Sequence, residues 1–377
     1  MKVAVVCNSD HTGVINHFGA PCPEKYARTA IQSTVQALEA AGHEVLLCEA
    51  DKNVLANLEE FMPADAAGRP TGIVFNMAYG IQGQARYTHL PAVLEMAGVP
   101  YTGSTPLGHA LALDKVITKK LMADAGVPTP RYRVMRCGSE SPDGLRFPLV
   151  VKPRQESTSF GLQLVHDPGQ LAVAVEAVRA SYQQDALVEE YIEGREICVG
   201  VLGNETLQFL PFVEHEFGAT AVRMLTWEAK TGKLAADVPK ICPAPVGEAL
   251  ASRLRAISEA TFRACWCRDY ARVDIRIDVN GAPYVLEINS MASLGSTGSF
   301  VLAATAAGYS LDELVNRILD IAHSRYFGGP APRRLDETYI PPEPQHVQSD
   351  RHLHEAAAGE ARSPVLSHRN ALGDAHG

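Results

Sequence analysis

The sequence predicts an α/β protein whose N-terminal part is a doubly wound parallel sheet, followed by two α+β lobes. Three observations carry that expectation. Strand-like and helix-like runs alternate through the first hundred residues, a hairpin with a small polar loop follows near residue 150, and two apolar strands bearing carboxylates meet at a turn near residue 280. Alternation of this kind implies parallel strands joined by crossover helices.

Lys2–Cys7 is an apolar first strand. Pro23 to Ala41 reads as a helix, with Pro in its first turn and Ala27, Ala30, Ile31, Val35, Leu38 and Ala41 at helical spacing. Gly42 ends it, and Glu44–Cys48, Thr71–Phe75 and Val99–Thr102 read as further strands. Leu107–Ala125 reads as one helix, stopped by Gly126, Pro128 and Pro130. Phe147–Pro153 and Gly161–Val165 form an antiparallel hairpin whose polar loop, Arg154–Ser159, can fold over a ligand. A helix over Pro168–Tyr182 and a strand over Ala186–Glu190 follow. Strands at Ile197–Leu202, Val273–Ile277 and Tyr284–Ile288 precede helices near Phe300–Ala307 and Leu311–Arg325. The expected units are 1–104, 105–188 and 189–326. Residues 327–377, rich in Pro, Ala, His and Gly, lack the apolar content to fold alone and are expected to form a disordered tail.

The 377 residues, 46% hydrophobic and 20% charged, are those of an ordinary soluble globular protein of two or three domains. No apolar run approaches the roughly 20 residues of a membrane-spanning helix. The opening MKVAVVC turns polar at Asn8, as a strand does and a signal peptide does not. Lys and Arg number 34 against 43 Asp and Glu, a net charge of −9 with no basic block, which argues against nucleic acid or an anionic membrane as partner. The eight cysteines are scattered, and Cys265 and Cys267 have no distant partner pair to complete a zinc site. A reduced, cytoplasmic protein is expected. No glycine fingerprint of dinucleotide-binding proteins follows the first strand; CNSDHTG has the wrong spacing.

The chemistry concentrates in Ala271-Arg-Val-Asp-Ile-Arg276 and Tyr284-Val-Leu-Glu-Ile-Asn289. Strand side chains alternate, so Glu287 and Asn289 share a face and Asp274 can stand opposite them. Two carboxylates and an amide carbonyl make an all-oxygen set suited to Mg²⁺. The competing reading is the polar face of an exposed hairpin, which the apolar Val273, Ile275, Val285 and Ile288 disfavour. Lys152 ends an apolar strand just before a small-residue loop, a placement suited to phosphate. Taken singly, Lys115 and Lys152 also read as surface lysines. Val188–Glu196 is a carboxylate-rich strand, turn and strand.

Together these residues resemble the ATP-grasp superfamily, and within it the D-alanine–D-alanine ligase family. The matching pieces are Phe75-Asn76 with Gly80 and Gly83, Val99-Pro-Tyr-Thr-Gly-Ser104, Leu113-Asp-Lys115, Val151-Lys-Pro153, Val188–Glu196, Glu228-Ala-Lys230, Ala271-Arg-Val-Asp274 and Glu287-Ile-Asn289. The resemblance implies an ATP-grasp fold and a ligase that joins an amino acid carboxylate to an amine through an acyl phosphate, releasing ADP. It gives the ATP phosphates to Lys115, Lys152 and the loop Glu156–Gly161 with Ser157, Thr158 and Ser159, and gives the adenine and ribose to Glu189 and Glu196, with Glu190 and Ile192 in the same run. Lys230 reaches the transferring phosphoryl group, and Asp274, Glu287 and Asn289 carry two Mg²⁺ (or Mn²⁺) ions. Arg272 and Gly295 stabilise the oxyanion, Glu24 holds the first substrate's ammonium, and Ser299, or else Ser296, holds the acceptor's carboxylate. A homodimer through the N-terminal region is also implied.

The departures lie at the substrate end. Tyr79 stands where the family has His, Gln84 where it has a carboxylate, and Thr231 where it has Tyr or Phe. Glu24, Thr158 and Thr231 would surround the donor's amino group, so a pocket wider or differently wired is expected. His11 and His17 lie in a long opening loop, either lining that pocket or on the surface. A ligase of secondary metabolism with another acid or amine fits the same residues. A nucleotide-binding regulator without turnover would need a broken metal set.

Overall fold

A computed structural model of the protein describes residues 1–9, 12–218, 224, 238–328 and 345–347. Strand β1 (Lys2–Cys7) lies between β2 (Glu44–Glu49) and β3 (Gly72–Met77), parallel to both. Side-chain alternation gives this sheet two apolar faces. Val3, Val5 and Cys7 pack with α1 (Arg28–Ala40) and a late helix, α9 (Leu311–Phe327); Ala4 and Val6 pack with α2 (Val54–Phe61) and α3 (His89–Ala97). Helices on both faces are the doubly wound arrangement.

Several expected elements shift, each for a local reason. Helix α1 begins at Arg28 rather than Pro23, because Glu24 and Tyr26 turn inward and are buried. The strand expected at Val99–Thr102 shrinks to a bridge between Tyr101 and Val74. Pro100 has no N–H to extend the ladder, and Gly103 turns away at φ 94°. The single helix expected over Leu107–Ala125 is two, α4 (Pro106–Leu113) and α5 (Lys115–Asp124). Asp114 breaks it: its backbone is extended (φ −81°, ψ 97°), and its carboxylate caps α5 by accepting from the amides of Val116 and Ile117 at 3.0 and 3.1 Å.

A four-stranded antiparallel sheet follows in the order β4-β7-β5-β6, with β4 (Tyr132–Met135), β5 (Leu149–Pro153), β6 (Gln163–Val165) and β7 (Ala186–Glu190). Helix α6 (Pro168–Tyr182), capped by Asp167, packs on it. The larger sheet runs β13-β12-β8-β10-β11-β14, with β9 beside β8. Its strands are β8 (Gly194–Gly203), β9 (Leu207–Phe209), β10 (Val213–His215), β11 (Lys240–Cys242), β12 (Tyr270–Asp278), β13 (Pro283–Asn289) and β14 (Gln345–Val347). Helix α7 (Glu248–Ala264) packs on one face, and α8 (Ser299–Ala306) with α9 ties the opposite face to the N-terminal sheet.

The division at 188/189 falls inside β7, and the chain crosses between sheets between Glu190 and Gly194. Helices α4 and α5, expected in the central lobe, place Ala112 and Met122 in the core of the larger sheet. Of the expected tail, 329–344 and 348–377 lie outside the described residues.

Candidate active site

A cavity of about 310 Å³ opens between the four-stranded sheet and the larger one. The four-stranded sheet contributes Lys152 and Glu189, and the larger sheet contributes Glu196, Arg272, Asp274, Arg276, Glu287 and Asn289. Glu24, Tyr79 and Tyr87 close the third side, Lys115 reaches in from the start of α5, and Glu156 to Phe160 overhang it. Segments far apart in sequence are thus gathered on one space.

On the four-stranded side, the Glu189 carboxylate bridges two ammonium groups, Lys119 at 2.6 Å and Lys152 at 2.8 Å. Burial alone would raise the Glu189 carboxyl's pKa, but the two lysines outweigh it and hold the group below the usual carboxylate range. Burial pushes Lys119 down to about 8 against the pull of Glu189. Lys152 is also buried, yet Glu189 and Glu287 together hold it above its ordinary value. Lys152 is therefore a buried cation and not a surface lysine. Lys119 was missed in the sequence, although it lies one helical turn beyond Lys115.

On the larger sheet, Arg272, Asp274 and Arg276 alternate along β12 and so face one way. Asp274 stands directly across from Glu287 in the β12–β13 ladder, and Asn289 donates to Asp274 Oδ2 at 2.9 Å. Arg272 donates to both Asp274 oxygens at 2.7 Å. Burial opposes the guanidinium's charge, but Asp274 holds its pKa above the ordinary value. Lys115 Nζ lies 3.3 Å from Glu287 Oε2 and also donates to the Glu156 carbonyl. The expected oxygen set is assembled, with Arg272 and Lys115 as counter-charges. Its two carboxylates and one amide suit a hard divalent cation; among the described residues no group of three or more His, Cys, Asp and Glu forms a metal cluster.

Arg276 is a residue the sequence reading passed over. Its guanidinium is 3% exposed, donates to Ile192 O at 2.6 Å and Glu196 Oε2 at 3.0 Å, and lies 4.9 Å from the Tyr191 ring centre. It thus braces the wall formed by Ile192 and Glu196. Glu190 also lines the cavity, and its carboxylate accepts from the Arg146 amide at 3.0 Å.

The overhanging loop is strained. Thr158 and Ser159 sit at φ 52° and 62°, where a side chain costs about 1–2 kcal/mol each. Gly161, at φ 68°, has no room for a methyl group, since a Cβ would come within 2.7 Å of the Tyr182 ring. On the side of the cavity that Glu24 closes, Glu24 accepts from Arg86 Nη2 at 2.8 Å and from the Tyr87 hydroxyl at 2.7 Å; the same hydroxyl lies 3.3 Å from Ser157 Oγ. The rings of Tyr26, Tyr79 and Tyr87 pack in sequence, with centres 4.7 and 5.3 Å apart.

Some expected residues are not brought to the cavity. Gly295 does not line it, because its amide turns back to Ser293 Oγ at 3.2 Å; Ser293, Thr297 and Gly298 line it instead. Ser299 does line it, with Oγ 3.4 Å from His215 Nε2. His17 is exposed and not among the lining residues. Lys230, Thr231 and His11 lie outside the described residues.

The D-ala D-ala ligase C-terminus family matches residues 121–320. A D-alanine–D-alanine ligase of Moorella thermoacetica is 30% identical over 334 residues, 85% of this chain and 99% of that protein. The chain belongs to the D-alanine–D-alanine ligase family. An uncharacterized protein of Sinorhizobium fredii, y4sG, is 59% identical over 333 residues, covering 87% of this chain and 98% of its own length. The crystal structure of the D-alanine–D-alanine ligase from Bacillus anthracis complexed with ATP shares the fold, with a TM-score of 0.66 at 20% identity, covering 86% of this chain and 98% of that one. The ATP-grasp architecture of the D-alanine–D-alanine ligases is therefore this protein's fold. In this chain the Tyr87 hydroxyl, next to Arg86 at the start of a 3₁₀ turn, is hydrogen-bonded to Glu24.

Proposed function

We propose that the protein is an ADP-forming carboxylate–amine ligase that activates an amino acid as its acyl phosphate and passes the acyl group to an amine. Family membership supports an ATP-dependent ligase. The observation that carries the finer reading is the convergence of Lys115, Lys152, the Glu156–Phe160 overhang, the oxygen set and Glu24 on one cavity.

A carboxylate is a poor electrophile, so one of its oxygens first attacks the γ-phosphate of ATP and ADP departs. Lys115 and Lys152 offset the phosphate charge, and the overhanging loop excludes water that would hydrolyse the acyl phosphate. Asp274, Glu287 and Asn289 would hold Mg²⁺, which when bound neutralises phosphate charge and aligns the oxygens for transfer. A neutral amine then attacks the acyl carbon, Arg272 stabilises the oxyanion, and phosphate leaves as the amide forms. Glu196 and Ile192, braced by Arg276, form the nucleoside wall. At the far end, Glu24 and Glu156 share the guanidinium of Arg86, so among the described residues two carboxylates face one cation there. The ammonium of an amino acid substrate balances the second carboxylate.

The test is ADP release across a panel of D- and L-amino acids, alone and in pairs, with mass spectrometry of the product. Amino-acid-dependent ADP release with an amide product is expected, abolished by Lys152→Ala. Glu287→Gln should remove the Mg²⁺-dependent turnover and leave the fold intact. ATP binding without turnover for any amino acid would refute the reading.

A further inference from the structure

We propose that Arg86 and Tyr87 are positioning residues that latch the phosphate-covering loop to Glu24, so that the substrate end and the loop are set as one unit. What the loop covers is taken from the ligase reading above; the latch itself rests on geometry alone.

Arg86 sits behind the cavity, 2% exposed, and reaches both sides of the join. One side is Glu24, at 2.8 Å from Nη2. The other is the root of the loop, where the same Nη2 lies 3.0 Å from Glu156 Oε2 and Nη1 donates to Gln155 O at 3.4 Å. Tyr87 spans the same join one residue on, through Glu24 Oε2 and Ser157 Oγ. Gln184 completes the cluster by donating to Glu156 Oε1 at 2.8 Å. Every carboxylate oxygen of Glu24 and Glu156 thus has a donor, in surroundings where an unmet charge is costly.

The loop needs such a hold. Its next residues, Thr158 and Ser159, occupy strained left-handed backbone, which persists only where surrounding contacts fix it. The latch supplies fixed contacts at positions 155, 156 and 157, immediately before the strain. A ligand arriving at Glu24 enters the same hydrogen-bonded cluster, so the two ends of the cavity are energetically linked, and that linkage is reciprocal.

The experiment follows hydrogen exchange of amides 155–161 in the full chain, in Tyr87→Phe, and in Arg86→Met and Arg86→Lys. Each is measured with and without adenylyl imidodiphosphate and Mg²⁺. Tyr87→Phe removes the hydroxyl's contacts to both Glu24 and Ser157 and is expected to speed exchange there about tenfold, with β5 and β7 unchanged. It should weaken binding of the nucleotide analogue about as much. Arg86→Lys should disturb the loop less than Arg86→Met. Where Arg86→Met does not fold, Tyr87→Phe carries the test. Unchanged exchange at 155–161 in Tyr87→Phe, or an equal rise across the whole chain, would overturn the latch. A failure of the ligase reading appears separately, as no amino-acid-dependent ADP release from the unsubstituted chain, and leaves the exchange result standing.

Discussion

Replacing Glu189 by Gln removes the counter-charge from two buried ammonium groups while keeping the side chain's volume. In the parent, the carboxylate is 3% exposed and lies 2.6 and 2.8 Å from Lys119 and Lys152, themselves 0% and 7% exposed. Breaking a buried pair by removing one partner costs about 3–5 kcal/mol, most of it from the stranded charge. With an unfolding entropy of about 2.1 cal/mol/K per residue, a chain of 377 residues shifts by about 1.3 °C per kcal/mol, so the melting temperature at pH 7 should fall by about 4–6 °C. The pH dependence has a definite sign. Without Glu189 both lysines lose a charge that holds their folded-state pKa up, Lys119 from a value burial has already lowered and Lys152 from a raised one, so the folded chain releases those protons at lower pH than the parent does. The deficit is therefore largest below the folded pKa and shrinks as pH rises toward 10. Adding Lys119→Met to Glu189→Gln should return part of the loss by removing one stranded ammonium. Melting curves at pH 7 and 9.5 decide it. A Glu189→Gln protein that melts within about 1 °C of the parent at pH 7 would refute the reasoning, since the shift expected there is several times larger.

Arg276→Leu should raise KM for ATP about tenfold with little change in kcat, since the lost hydrogen bonds brace a wall remote from the transferring phosphate; steady-state kinetics check it. His109 is fully buried, with Nδ1 2.8 Å from Ser290 Oγ, and burial pushes its pKa down to about 3. Below pH 6.5 the unfolded chain takes a proton that the folded chain refuses, so stability falls on acidification, by roughly 3 kcal/mol at pH 4 from this residue. His109→Gln should flatten that acid limb in denaturant titrations at pH 7, 5.5 and 4.

The elements written in local pattern were legible in the sequence. Pro168–Tyr182 carries its own cap at Asp167 and a helical apolar spacing, and the structure begins and ends α6 at those residues. The alternation of Asp274, Glu287 and Asn289 was enough to assemble the oxygen set, because strand geometry fixes which face a residue takes. The same alternation extended two residues would have found Arg276, and one more helical turn from Lys115 would have found Lys119. Arg86 and Tyr87 left no such trace: their partners are 62 to 70 positions away and meet them only through the tertiary fold. The break at Asp114 was hidden for a related reason. Its flanks are good helix formers, and the carboxylate is drawn out of the helix by Arg154 and Gln155 from another strand end.

That aspartate does two jobs with one side chain. It sets where α5 starts, and so where the Lys115 ammonium points, while Arg154 at 2.8 Å and Gln155 at 3.1 Å tether the root of the overhanging loop to it. The cation and the flap beside it consequently share one pivot. A change at Asp114 cannot retune one without displacing the other.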